Sequence, residues 1–300
     1  MHIETIEHTD NVYVLVSPVR DESMNIVKTL DSVVNQTIKP SLWIIVNDGS
    51  TDNTVDIVKR YMKKYPWIKL IDLPDRGFRL PGKGIMDAFY KGFDSIGDIA
   101  WDFVVKLDCD LSFDFDYFEN IFKEFIKNPK LGLASGKTYL PVNGDVGNLK
   151  LEWCPDTCTR GPCKVYSKKF FEKTGGPLRE RGWDTLDDIA ALLAGMDSRS
   201  FSEYKIIHYR PIGTLTNTHK GVKSRIQMGQ NFYYIGYHPL FVLLKTIKMF
   251  FTDKPVFVAG LFFCFGYFKS FFASEPQISD KRLVKKLKEM QLKRIFRCIK

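Results

Sequence analysis

The chain has 300 residues, 44% of them apolar and 14% aromatic, which excludes a disordered chain and suits one large domain with an extension or two modest ones. Its net charge of +9 is uneven: residues 281–300 hold nine Lys/Arg against one Glu, so +8 sits there and +1 remains for the first 280. That excludes a strongly basic globular body and leaves a near-neutral one with a basic tail, of the kind that meets nucleic acid or an anionic membrane surface.

The opening residues 1–11 are polar and acidic, so no signal peptide is expected there. Val12–Val16 is a short β-rich apolar run stopping at Ser17-Pro18, and reads as a buried parallel strand. Asp21-Glu22-Ser23 is expected to open a helix running to about Asn35, with Ile26, Leu30, Val33 and Val34 inside. Leu42–Val46 is a second strand, followed by Asn47-Asp48-Gly49-Ser50-Thr51-Asp52 and a helix with Val55, Val58 and Met62 on one face. A third strand lies at 68–71, a helix at 82–96 and a fourth strand at 101–107. Strands and helices alternating at this spacing predict βαβ units on a mostly parallel sheet, with ligands beyond the C-terminal strand ends.

At the fourth such end stands Asp108-Cys109-Asp110. Alternation along an extended run points both carboxylates the same way, where they repel unless a hard cation neutralises them. Mg²⁺ or Mn²⁺ takes such oxygen ligands, usually with phosphates completing the shell. Further on, a helix is expected from Asp116 to about Lys127, a strand at 131–140, a loop-rich stretch at 141–164, and order again from Val165 to Phe171. Thr185 with Asp188 resembles a capping box opening a short helix, Ile189–Ala194. Of six cysteines, Cys154, Cys158 and Cys163 cluster without a fourth ligand at zinc spacing, so free thiols are expected.

The last quarter is different. Val256–Phe268 is thirteen residues without a charge, shorter than the roughly 20 needed to span a bilayer. It reads as a buried helix, a hairpin dipping into a membrane or an interfacial helix. In 281–300, Leu283, Leu287, Met290, Ile295 and Ile299 recur at near-helical spacing opposite lysines, the pattern of a basic amphipathic helix lying on an anionic membrane.

Ser32-Val33-Val34-Asn35-Gln36-Thr37 upstream of Asn47-Asp48-Gly49-Ser50-Thr51-Asp52, with Asp108-Cys109-Asp110 downstream, resembles the family 2 glycosyltransferases over roughly residues 10–220. The resemblance implies an α/β fold of the GT-A kind, a Rossmann-like mostly parallel sheet flanked by helices, with a C-terminal helical membrane-associating extension. It divides the chain into a catalytic domain, 1–220, and an apolar and basic region, 221–300. It implies that Pro18 and Asp48 line a nucleotide pocket, with Arg20, Asp21 and Glu22 nearby. Lys83 would lie at a helix start that holds the nucleotide or diphosphate. Asp108 and Asp110 would ligate Mg²⁺ or Mn²⁺ on the diphosphate, His208 would reach the metal or diphosphate, and Arg210 and Lys220 would meet phosphate. The base taking the acceptor proton is sought among Asp184, Asp187 and Asp188. Here the chain departs from the usual Glu-Asp pair, and Asp184 ranks before Asp187. Trp183 either stacks on a sugar or belongs to the core.

The activity implied is inverting, metal-dependent transfer of a sugar from a nucleotide diphosphate-sugar to a hydroxyl acceptor. A lipid-linked glycan or polysaccharide precursor at the cytoplasmic membrane face is the expected acceptor. The protein is expected to be peripheral on the inner face of the membrane and to bind no nucleic acid. The alternative is a non-catalytic donor-binding subunit of a glycan-assembly complex. The Gln-x-x-Arg-Trp motif of processive synthases is absent, which argues against processive polymerisation.

Overall fold

The computed structural model describes residues 11–77, 82–210, 218–253 and 257–297. The chain forms two compact units. One comprises Met1–Arg79, Gly84–Gly176 and Met196–Tyr209; the other comprises Leu80–Lys83, Pro177–Gly195 and Arg210–Lys300. The units interleave in sequence, whereas the sequence reading draws a single boundary at 220.

In the first unit the chain runs through β1 (Tyr13–Val19), α1 (Ile26–Val34), β2 (Leu42–Asp48), α2 (Thr54–Met62), β3 (Ile68–Leu73) and α3 (Lys83–Phe93). It continues through β4 (Phe103–Leu107), β5 (Leu111–Phe113), α4 (Tyr117–Lys127), β6 (Leu131–Val142), β7 (Asp145–Leu151), β8 (Cys163–Ser167) and α5 (Lys168–Thr174). After α6 (Trp183–Leu193), which belongs to the second unit, β9 (Asp197–His208) completes one sheet of order β3-β2-β1-β4-β8-β6-β9-β5, with β7 on β6. The β3-β2-β1-β4 half is parallel, as the alternation of strands and helices requires. β8 joins β4 antiparallel, and β5 joins β9 antiparallel. Each strand of β1 and β4 is an apolar run because both of its faces are covered. α1 and α4 lay Leu30, Val33, Phe118 and Phe122 over one face, beside Tyr13, Trp43 and Phe103. Fully burying each of these aromatics is worth roughly 2–3 kcal/mol.

The second unit holds α6, α7 (Thr218–Ile235), α8 (Pro239–Thr252), α9 (Val258–Phe272) and α10 (Lys281–Arg297). Leu186 and Ile189 of α6 pack with Ile235, Leu283, Val284 and Leu287. A second cluster joins Tyr233, Val242, Met249, Phe263 and Tyr267. No helix among the described residues is long and apolar enough to cross a membrane.

Four local expectations are corrected. α1 begins at Ile26, not near Asp21, whose φ of 53° is outside any helix; a turn at 22–26 intervenes. The stretch 141–164 contains a strand, β7, hairpinned to β6. α6 begins at Trp183 after Gly182 in the left-handed region (φ 76°), with no side-chain cap, so Thr185 is not its N-cap. The left-handed conformation of Gly182 favours glycine there, and a Cβ would also displace the end of the Ile235 side chain, 2.2 Å away. Finally, the apolar stripe of α10 faces its own unit: Leu283, Val284, Leu287 and Ile295 are all buried. Met290 and Phe296 of that helix are exposed, and Ile299 lies outside the described residues. Cys109, Cys154, Cys158, Cys163 and Cys264 are unbridged; Cys298 lies outside the described residues.

Candidate active site

The loops leaving β1 and β2 are laced together by the motif that follows β2. Ser50 Oγ accepts from the Asp21 N–H at 2.9 Å, Asp52 Oδ2 from the Ser23 N–H at 3.0 Å, and Thr54 Oγ1 from the Glu22 N–H at 2.8 Å. Asp21 Oδ1 in return accepts from the Thr51 N–H at 2.9 Å. The alternating Ser, Asp and Thr are therefore the acceptors for three successive backbone donors. Burial works against the Asp52 charge, but the hydrogen bonds from Ser23 and Thr54 outweigh it and hold the carboxyl down at about 2. Gly49 turns the chain at φ 73°, and a Cβ there would come within 2.5 Å of the Asp75 backbone.

Asp48, the last residue of β2, meets the Arg76 guanidinium through Oδ2, and its carbonyl accepts from Arg20 Nη1 at 2.9 Å. Arg20 also pairs with Asp75 at 2.7 Å. Two guanidinium groups thus flank Asp48 at the end of the parallel strands. Pro18 sits in β1 opposite Val46, two residues before Asp48 on the neighbouring strand. Arg76 was not foreseen: it follows β3 in a loop, and only the β2–β3 pairing brings it to Asp48.

Asp108 and Asp110 leave β4 on a backbone fixed at three points. The Asp108 N–H donates to Pro162 O at 2.7 Å, the Tyr209 N–H to Asp110 O at 2.9 Å, and the Leu111 N–H to Thr29 Oγ1 at 2.8 Å. Cys109 between them turns into the core and is 1% exposed, as alternation requires. The carboxylates fare differently. Asp108 is engaged by the buried Lys106 ammonium, which also donates to Gly161 O at 3.0 Å. Burial raises the Asp108 pKa, Lys106 opposes this, and the Asp110 charge adds to it. Asp110 is 6% exposed, and its Oδ2 lies 3.4 Å from His208 Nε2. The antiparallel β5–β9 register, Leu111 opposite His208, produces this meeting of residues nearly a hundred positions apart.

His208 is held from its other side. Its Nδ1 lies 3.2 Å from Glu152 Oε2, and the Arg160 guanidinium meets that same oxygen at 3.1 Å. Burial disfavours imidazolium, but the hydrogen bonds to Asp110 and Glu152 and their charges win, raising the His208 pKa to about 9. Burial likewise works to raise the Glu152 carboxyl, and His208 and Arg160 pull it below the ordinary range instead. Glu152 and Arg160 were missed by sequence reasoning; they belong to the stretch after β6 that reads as loop.

The donor set suits a divalent cation. Two carboxylates supply hard oxygen ligands, and the imidazole tilts the preference from Mg²⁺, an oxygen-seeking ion, towards Mn²⁺. A carboxylate gripping the far nitrogen is the usual support of a metal-binding histidine. Among the described residues no group of three or more His, Cys, Asp or Glu is arranged to hold a metal by itself.

The remaining candidates fall elsewhere. Glu22 lies in the turn between β1 and α1, and Lys83 is the exposed first residue of α3. Asp184, Asp187 and Asp188 all lie on α6 of the second unit. Asp184 is exposed in the first turn, Asp187 is fully buried and accepts from the Leu178 N–H at 2.9 Å, and Asp188 is 9% exposed. Trp183 is buried, which favours its core reading. Arg210 also belongs to the second unit, and the Lys220 side chain lies outside the described residues.

Residues 14–144 match the family model described as Glycosyl transferase family 2. A poly-beta-1,6-N-acetyl-D-glucosamine synthase of Staphylococcus epidermidis is 33% identical over 116 residues, 39% of this chain and 26% of that protein. The chain thus matches about a quarter of that relative's length. Among solved structures, the mannosyltransferase PcManGT of Pyrobaculum calidifontis, in complex with GDP-Man and Mn²⁺, aligns over 95% of this chain and 82% of its own, with TM-score 0.52 and 16% identity. S. aureus TarS 1–349 aligns over 88% and 72%, with TM-score 0.50 and 15% identity. At such identities the structural likeness speaks for the fold alone. Residues 14–144 thus resemble glycosyl transferase family 2, and they lie in an α/β sheet whose fold is that of the GT-A glycosyltransferases.

Proposed function

We propose that the protein is an inverting, metal-dependent glycosyltransferase. It moves a sugar from a nucleotide diphosphate-sugar to a hydroxyl acceptor, a lipid-linked glycan or polysaccharide precursor, at the cytoplasmic face of the membrane. The observation that carries the reading is the family 2 match over 14–144, which takes in both Asp48 with its guanidinium partners and the Asp108/Asp110 pair that meets His208.

Each residue has a task in this reading. Asp48 and Pro18, steadied by Arg20 and Arg76, receive the nucleoside, with Glu22 beside them. Lys83, at a helix N-terminus, meets phosphate. Asp110 and His208, with Asp108, would hold Mn²⁺ or Mg²⁺, which supplies Lewis-acid neutralisation of the departing diphosphate. Lys106 offsets the Asp108 charge and keeps two adjacent carboxylates tolerable at the strand end. The acceptor hydroxyl oxygen bonds to the anomeric carbon as the bond from that carbon to the diphosphate oxygen breaks, and the hydroxyl proton passes to a carboxylate base, sought among Asp184, Asp187 and Asp188. Asp184, exposed in the first turn, suits that task best. Asp187 is committed to the Leu178 N–H, and Asp188 is the remaining candidate.

The test is nucleotide release by the purified full chain over a panel of UDP-, GDP- and dTDP-sugars, with Mn²⁺ and with a chelator. Release from one donor that depends on the metal is expected. Donor binding without any release or transfer would favour the alternative, a donor-binding subunit.

A further inference from the structure

α8 and α9 expose an unusual amount of apolar surface. α8 presents Leu240, Leu244, Ile247 and Phe251 at spacings of three and four, so they share one helix face. α9 presents Leu261 and Phe265 in the same way, and Phe251 is 72% and Leu261 60% exposed. The opposite sides of the two helices are committed: Val242, Met249, Phe263 and Tyr267 form the cluster between them and α7. Gly260 lets the hairpin close, since a Cβ there would meet the Phe250 ring at 2.6 Å. The outward faces are therefore surplus to the core, and clustered exposed apolar side chains of this kind mark an interaction site.

Charge selects the occupant. From Pro239 to Ser274 the sequence holds one acid, Asp253, and it pairs with Arg225 at 2.8 Å. Lys248 and Lys269 stand exposed on the same two helices. α10, which packs on α6 and α8, adds exposed Lys281, Lys285 and Lys293 to the same unit while turning its own apolar stripe inward. An apolar face with cations beside it, its one acid Asp253 paired and a single Glu289 among the α10 lysines, complements the acyl–headgroup boundary of an anionic bilayer. Neither helix is long enough to cross one. We propose that the outward face of the α8–α9 pair is a membrane-docking surface that inserts into one leaflet of an anionic bilayer. The α10 tail, whose apolar stripe is mostly turned inward, contributes chiefly electrostatic attraction. This sharpens the membrane-face part of the reading above and does not rest on its transfer chemistry.

The test is co-sedimentation of the full chain with vesicles of phosphatidylcholine mixed with phosphatidylglycerol, and with phosphatidylcholine alone, using no sugar donor. The variants are Ile247→Asp with Phe251→Asp on α8, Leu261→Asp with Phe265→Asp on α9, and Lys285→Glu with Lys293→Glu on α10. All six positions are exposed, and circular dichroism with thermal melting checks that each variant folds. The wild type is expected to sediment with the mixed vesicles and to resist a high-salt wash. Each apolar pair should weaken partition about tenfold or more. The α10 pair should weaken initial capture while leaving the captured fraction salt-resistant. Wild-type protein that stays in the supernatant, or apolar-pair variants that bind like the wild type, would overturn the proposal. So would a discrete lipid-free oligomer that the apolar pairs dissociate, because the face would then belong to a second copy. None of these results bears on nucleotide release, so failure here leaves the transferase reading standing.

Discussion

The C-terminal edge of the parallel strands and the outward face of α8–α9 treat their surfaces in opposite ways. At the strand edge polar groups are tied one to another: Ser50, Asp52 and Thr54 to three backbone donors, Asp48 to Arg76, Asp110 through His208 to Glu152 and Arg160. On α8–α9 large apolar side chains stand in the open with a single acid along the segment. The first pattern fixes side chains in place, as the proposed binding of a charged ligand requires. The second leaves folding indifferent to residues that only a neighbour can bury. Substitutions at the strand edge should therefore disturb stability or ligand affinity, and those on the helical face should disturb neither.

The largest expected effect on folding is from Gly49→Ala. The left-handed φ and the 2.5 Å approach to the Asp75 backbone both oppose a Cβ, and about 3 kcal/mol of stability should be lost in urea unfolding. Loss below about 0.5 kcal/mol would mean that the loop is not held as described. Next is Glu152→Gln, which keeps the shape but removes the charge facing His208 Nδ1. Mn²⁺ affinity, read by electron paramagnetic resonance of the free ion in the presence of nucleotide, should fall about 10–100-fold. An unchanged affinity would reduce Glu152 to a structural partner.

Asp52 ties the loops and provides the pH test. Its carboxyl is held at about 2, below the ordinary 3.8, so its contribution is full above 3.8 and is lost as pH falls through about 2. After allowance for solvent screening, Asp52→Ala should cost about 1 kcal/mol near neutral pH, the difference from the wild type closing towards pH 2. A difference independent of pH would point to lost packing rather than lost charge. The smallest effect is predicted for Ile247→Asp on α8, whose side chain is already 53% exposed: unfolding in the absence of lipid should shift by less than about 0.5 kcal/mol. A large shift would show that this face is buried by something in solution.

Much of the strand edge was legible in the sequence because its signals are local. Apolar runs of five to seven residues ending in Asp-rich turns mark β1, β2 and β4, and alternation alone places Asp108 and Asp110 together with Cys109 turned inward. Glu152 and Arg160 were not legible, since Glu152 reaches His208 only through β6, which pairs antiparallel with β7 on one side and parallel with the distant β9 on the other. The β6–β7 hairpin does carry a local signal: Asn143-Gly144, both at positive φ, is the dipeptide that closes tight hairpins. Its exposed polar strand, β7, offered no apolar run to find it by. For α10 the amphipathic pattern marks a helix, but a periodic apolar stripe does not distinguish a membrane from the protein's own core. Here Leu283, Val284 and Leu287 face the core, and α8 and α9 carry a row of exposed apolar side chains instead.

The central claim is that Asp108 and Asp110 hold a cation needed for sugar transfer. It is tested most directly by comparing metal-dependent nucleotide release by the wild-type chain with that of the double variant Asp108→Ala, Asp110→Ala, on the donor that the wild type accepts. A fall of about 10²–10³ or more in turnover, with the variant still folded by circular dichroism, is the predicted result. Turnover near that of the wild type, or equal activity with and without a chelator, would contradict it.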